Sequence, residues 1–309
     1  AESAGAWEYS QLQIHVNGAI PYGVWHYMQA TGDTALLLKY GAELVIETCR
    51  FWASRSYLNP RTNECVINCV TGPDEYTVAV NNDMYTNVLA RFVLAYGVQV
   101  VKELESKHAD AWKKLARKLD FAPAETRDWA RRAKRMRVHF DAELGIHPQH
   151  DTFLDMEPVD LQTTFPEKWL PAWRDCPWDY LIRAQVIKQP DVLLAMFMFS
   201  DQFEQEVKRA NYDYYDPKTM HESSLGACIH SIIASETGLP EAAFDYYMRG
   251  ARLDLDARWT DGIRIANAAG SWMCLVNGFA GMRVHTGSSE LSFNPHLPAH
   301  TLDWAEPFA

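Results

Sequence analysis

The run from Ile20 to Ser54, IPYGVWHYMQATGDTALLLKYGAELVIETCRFWAS, decides the fold. Ile20 to Ala30 is rich in aromatic residues. Gly32-Asp33 then reads as a helix stop followed by an N-cap, because glycine accepts a left-handed backbone and a carboxylate accepts the first free amide of the next helix. From Thr34 to Ser54, the residues Leu36, Leu37, Tyr40, Leu44 and Phe51 return at helical spacing. The stretch is a helical hairpin.

Working outward, the same scheme recurs. Helices are predicted over Asn82 to Leu104, over Pro123 to Val138 (strongly basic and amphipathic), and over Asp179 to Ile187 and Asp191 to Phe199, a pair broken at Pro190. Leu225 to Thr237, Pro240 to Leu253 and Gly270 to Phe279 complete the set. Strand signals are confined to Val66-Ile67-Asn68, before the Gly72-Pro73 turn, and to Leu291 to Phe293. Roughly nine or ten antiparallel helices fit an α-solenoid or a closed α/α toroid. With no fixed repeat and with loops richer in chemistry than the helices, the all-α toroid is the better reading. Leu144 to Pro177, long and rich in Pro and Trp, reads as a large functional loop.

The 309 residues, 48% hydrophobic and 12% aromatic, are enough for a large core. A net charge of −11 argues against nucleic acid and anionic membrane as partners, since both demand a dense cationic surface. No apolar run reads as the ~20 residues that span a bilayer. The six cysteines are scattered, and a lone Cys65-x3-Cys69 does not make a zinc site, so no metal is expected. Reduced thiols fit a cytoplasmic protein. The chain opens on Ala1-Glu2-Ser3 and closes on Phe308-Ala309, and both ends read as cut.

The chemistry concentrates in Thr71-Gly72-Pro73-Asp74-Glu75-Tyr76, followed by Asn81-Asn82-Asp83-Met84-Tyr85-Thr86-Asn87. Gly-Pro sets two carboxylates on a tight loop, where the like charge of Asp74 would favour a protonated Glu75. A protonated carboxyl is what a glycosidic leaving oxygen requires. The same residues also read as a solvated turn with charge at a helix N-terminus.

The run GPDEYTVAVNNDMYTN resembles the general-acid loop of glycoside hydrolase family 65. Collinear matches extend the resemblance along nearly the whole chain: His15-Val16-Asn17-Gly18 with Ile20-Pro21-Tyr22, Arg50-Phe51-Trp52-Ala53-Ser54-Arg55, and Ile187-Lys188-Gln189-Pro190-Asp191-Val192. Tyr214-Tyr215-Asp216-Pro217, His221-Glu222-Ser223-Ser224-Leu225, Asp261-Gly262-Ile263 through Ala269-Gly270-Ser271-Trp272, and Asn277-Gly278-Phe279-Ala280-Gly281-Met282-Arg283 follow in order. The resemblance implies the later part of an (α/α)6 barrel over residues 1–283 and the start of a C-terminal β-sandwich domain over 284–309. The family's N-terminal β-sandwich, linker and first barrel helices have no counterpart, so the remainder of the polypeptide is an implied partner, and a homodimer stays open.

It further implies inverting phosphorolysis of an α-glucosidic disaccharide such as kojibiose, nigerose, trehalose or maltose. Glu75 would be the general acid and inorganic phosphate the co-substrate, giving β-glucose 1-phosphate with no cofactor. Lys188, Gln189 and Asp74 would contact the sugar, while Ser223 and Ser224 would hold phosphate. Thr77 stands where the family often has His, which would change contacts in the outer sugar subsite. Arg264 replaces the His of a frequent Asp-Gly-Ile-His, and its guanidinium is a competent phosphate fork. Glu222 could instead activate water, which makes an inverting α-glucosidase the alternative.

Simpler roles stand beside these. The serine pair would cap the helix at Leu225, and Lys188 would complement a helix end. His15 and His230 read as packed, hydrogen-bonded side chains. Arg131-Arg132-Ala133-Lys134-Arg135 reads as a solvated face, and Trp169, Trp173, Trp178 and Trp259 as core or as sugar-stacking rings.

Overall fold

The computed structural model describes residues 10–164, 177–256, 262–285 and 290–299. The chain forms two compact units: one of residues 1–73, 78–139 and 150–152, the other of residues 74–77, 140–149 and 153–309.

In the first unit the predicted hairpin is present. Helix α1 (Val16–Thr31) ends at Gly32, whose φ of 63° lets its N–H reach the Met28 carbonyl, and Asp33 then accepts the Leu36 amide to start α2. Helix α2 is composite, running through Thr34–Leu36, a π-helical turn at Leu37–Gly41 and Ala42–Arg55. A short antiparallel pair follows, β1 (Tyr57–Leu58) with β2 (Cys65–Val66). Cys65 is buried there and Cys69 is exposed, both as free thiols.

Helix α3 (Met84–Lys107) is capped by Asp83, which accepts the Thr86 amide at 2.8 Å. Contrary to the sequence reading, its length and mean hydropathy of 1.2 would suffice for a bilayer span. It packs instead against α1, α2, α4 (Ala109–Lys118) and α5 (Pro123–Arg135), with 78% of its apolar window buried, and is a core helix. Gly97 is required at this crossing: a Cβ there would lie 2.2 Å from the Cys49 sulfur. Arg50 grips Glu125 with two hydrogen bonds (2.7 and 2.9 Å), joining α2 to α5. Part of the basic run is paired, since Arg131 and Arg132 both bind Asp128.

The second unit is built around α8 (Gly226–Glu236), whose residues from Gly226 to Ser235 are all buried. Around it pack α6 (Asp191–Met198), α7 (Gln205–Tyr215), α9 (Pro240–Ala251) and α10 (Ile265–Met273), which continues as a π-helical turn at Cys274–Phe279. The chain then forms a second small pair, β3 (Arg283–Val284) with β4 (Leu291–Ser292). Beneath it, the Glu236 carboxylate joins Lys208 (2.6 Å) and Arg283 (2.9 Å) in a largely buried ionic triad.

One predicted helix is absent. Only Trp178–Leu181 makes a helical turn, and the chain from there to Pro190 is irregular or extended, bridging Glu157 to Ala184 and Ile187 to Thr219. Ala184 and Val186 share a buried cluster with Tyr76, Leu161, Leu181 and Met220, a period of two that β-branched residues suit better than a helix.

Candidate active site

The loop carrying Glu75 is held from beneath by Asp74, which is fully buried. One Asp74 oxygen accepts the backbone N–H groups of Lys188 (2.8 Å) and Tyr76 (3.2 Å). The other accepts the Thr77 hydroxyl (2.8 Å) and the Gln149 side-chain amide (2.9 Å). Asp191, the first residue of α6, takes the Asp74 amide at 2.9 Å. Burial pushes the Asp74 carboxyl up from the usual carboxylate range, opposed by these four donors.

One expectation is corrected by this geometry. Asp74 is no sugar contact, because its oxygens are filled by the protein and none of its surface meets solvent. Thr77 is turned inward as well, bonded to Asp74 and Gln149. The like-charge argument for Glu75 is also incomplete, since the group in contact with its carboxylate is the Lys188 ammonium. Both of those side chains keep a solvent face, 19% for Glu75 and 27% for Lys188. Gln189 follows Lys188 half-buried.

Tyr76 connects this loop to the next. Its ring sits in the apolar cluster, edge-on to Trp178 at 5.6 Å, and its hydroxyl donates to Glu222. The segment from Thr219 to Leu225 is anchored by the Met220 amide on the Ile187 carbonyl (2.9 Å), next to Lys188. Glu222 is buried, Ser223 and Ser224 are half-buried, and α8 begins two residues later with no side-chain cap on its first amides. Ser223 accepts the Leu225 amide at 3.1 Å, a local turn, and neither serine caps α8 as the simpler sequence reading had it. Thus Glu75, Lys188 and Glu222 are brought together through Tyr76. Arg264 stands at the start of α10, its amide held by Asp254 at 3.0 Å. Trp169, Trp173, Trp259 and Asp261 lie outside the described residues.

His15 is packed as expected: it bonds to the Thr71 carbonyl, and burial pushes its pKa down to about 4. His230 is fully buried and gives its Nδ1 proton to the Gly226 carbonyl (3.0 Å), with burial holding the ring neutral. Sequence reasoning missed what surrounds it. Asp216, His221 and His230 place one ligand atom each within 4.8 Å of one another, as a metal site would. The Tyr246 hydroxyl, however, lies 2.6 Å from the Asp216 carboxylate and 2.9 Å from the His221 Nε2. Those are hydrogen-bond distances, shorter than the roughly 3.3 Å that separates two ligands around a tetrahedral ion with ~2.0 Å bonds. Burial pushes the Tyr246 phenol further up, so it stays a neutral donor. Asp216, Tyr246 and His221 form a hydrogen-bond chain, and the His230 ring packs against it. No local motif announces it, because its members span thirty residues.

Residues 1–273 match the family model described as glycosyl hydrolase family 65 central catalytic domain. An α,α-trehalose phosphorylase from Thermoanaerobacter brockii is 41% identical over 292 residues, covering 93% of this chain and 37% of the relative. A maltose phosphorylase from Bacillus subtilis (strain 168) is 39% identical over 308 residues, covering 99% of this chain and 39% of the relative. A solved structure described as a kojibiose phosphorylase from the human microbiome superimposes with a TM-score of 0.83 at 32% identity, over 92% of this chain and 41% of that one. The chain therefore spans about two fifths of the length of these relatives. With residues 1–273 matching that family's central catalytic domain, the chain belongs to glycosyl hydrolase family 65.

Proposed function

We propose that the protein catalyses inverting phosphorolysis of an α-linked glucosyl disaccharide, releasing β-glucose 1-phosphate and a free sugar. The observation that carries this reading is the pairing of a firmly held Glu75 with a serine-bearing, uncapped helix start in the same unit. Glu75 donates a proton to the glycosidic oxygen as that bond breaks. Phosphate attacks the anomeric carbon from the opposite face, so the configuration inverts and no protein base is needed. Ser223, Ser224 and the free amides opening α8 suit a phosphate, and Arg264 would add a guanidinium fork. Lys188 and Gln189 bind hydroxyls of the glucosyl unit that is transferred to phosphate, which draws the Lys188 ammonium away from Glu75. Phosphate is the co-substrate, and the scheme uses no cofactor.

The hydrolytic alternative needs Glu222 to take a proton from water. Glu222 is 7% exposed and already accepts the Tyr76 hydroxyl, which fits a positioning role better. The relatives named above are phosphorylases, which supports the same choice. We place the reaction in the cytoplasm, with the rest of the polypeptide completing the barrel and β-domain. The test is to incubate the intact gene product with trehalose, maltose, kojibiose and nigerose, with and without phosphate. Phosphate-dependent β-glucose 1-phosphate from one of them is expected. Glucose release at the same rate without phosphate would refute the proposal.

A further inference from the structure

His221 has φ of +54°, a left-handed backbone uncommon outside glycine. It immediately precedes Glu222, Ser223 and Ser224. Strain of this kind persists only where the surroundings over-determine it, and three helical segments do so here. The His221 ring lies 4.6 Å from His230 of α8 and 5.1 Å from Tyr246 of α9, centroid to centroid. Its Nε2 is 2.9 Å from the Tyr246 hydroxyl, which donates to Asp216, just after α7, at 2.6 Å.

The protons settle the direction of the chain. The Asp216 carboxylate can only accept, so the single Tyr246 proton goes to it, and towards His221 the phenol oxygen is an acceptor. His221 must therefore carry its proton on Nε2, which fixes both its tautomer and its ring plane. On the other side, Glu222 is tied by the Tyr76 hydroxyl. A strained residue is thus clamped on both flanks directly before the serine pair.

We propose that Tyr246 is a positioning residue for phosphate: through His221 it holds residues 222–224 in the conformation that aims Ser223 and Ser224. The proposal rests on the phosphorolytic reading of those serines. Without the clamp, residue 221 relaxes to negative φ and the segment beyond it swings.

Tyr246→Phe keeps the ring and removes both hydrogen bonds. In the intact gene product it should raise the apparent KM for phosphate about tenfold, the worth of one hydrogen bond to an ionised group, and leave the KM for the disaccharide within about twofold. His221→Gly accepts the left-handed backbone and lacks the ring. It should reproduce the phosphate defect while unfolding at a higher temperature than His221→Ala.

Hydrogen exchange read by mass spectrometry on the peptide covering 219–225 supplies an arm that does not depend on the nucleophile. Faster exchange in Tyr246→Phe is expected. Unchanged exchange, or equal changes in both KM values, would overturn the clamp. A wild-type rate indifferent to phosphate, with exchange still accelerated in the variant, would overturn the assignment to phosphate and with it the phosphorolytic reading, leaving only the mechanical link.

Discussion

Replacing Asp74 by Asn tests whether the loop that carries Glu75 is held by a charge. One oxygen keeps its acceptor character towards the Lys188 and Tyr76 amides, at 2.8 and 3.2 Å. The other becomes an NH2 group facing two donors, the Thr77 hydroxyl and the Gln149 amide. A hydrogen bond to an ionised group is worth about 1.5–3 kcal/mol and a neutral one about 1 kcal/mol. Two contacts weakened and two lost give about 4–10 kcal/mol before relaxation.

Gln149 can recover part of this by turning its amide, because its own oxygen has no hydrogen-bond partner. A net loss of roughly 2–4 kcal/mol is therefore expected in urea denaturation of the intact protein. The Glu75 backbone would shift with the loop, and a displacement of ~1 Å costs on the order of 10²-fold in turnover. Asp74→Ala, which leaves four buried donors unmatched, should be worse. An Asp74→Asn variant within about 0.5 kcal/mol of wild type and fully active would refute this reasoning, since it would mean that burial keeps the carboxyl neutral.

Other perturbations report on the frame. Gly97→Ala drives a Cβ to 2.2 Å from the Cys49 sulfur and should cost ~1–3 kcal/mol, read as a lowered Tm. Glu236→Gln leaves Lys208 and Arg283 without their carboxylate, and a loss of about 3 kcal/mol in urea denaturation is expected. His15 and His150 both have pKa values pushed down to about 4 by burial. The unfolded chain, near 6.5, then binds more protons between those values, so stability is complete above pH 6.5 and falls as the pH drops towards 4. From pH 6.5 to 5 each histidine should remove about 2 kcal/mol, and His15→Asn should take away about half of that slope.

Much of this molecule is legible in local sequence. Gly32-Asp33 and Asp83 act as the stop and caps that their chemistry predicts, and Pro190 does separate two segments. Helix α4 escapes notice because it buries none of its residues, and α7 because its Gln205 to Tyr215 run is mostly polar. The segment after Leu181 misleads in the other direction: its apolar content reads as a helix, while Ala184 and Val186 bury with a period of two and Glu157 and Thr219 bridge it as extended chain. The site divides in the same way. Glu75, Lys188 and Glu222 are marked by motif, but the burial of Asp74 depends on Gln149 and Asp191, and the His221 clamp on Asp216 and Tyr246. A side chain's neighbours across a fold are the one property that spacing along the chain does not encode.

Whether Glu75 supplies the proton to the leaving sugar is decided by comparing two leaving groups in Glu75→Gln. At saturating phosphate, turnover of the reactive disaccharide should fall by ~10²- to 10⁴-fold, while α-glucosyl fluoride, whose leaving group needs no proton, should be spared most of that loss. Equal losses on both substrates would contradict the account and make Glu75 a binding or structural residue.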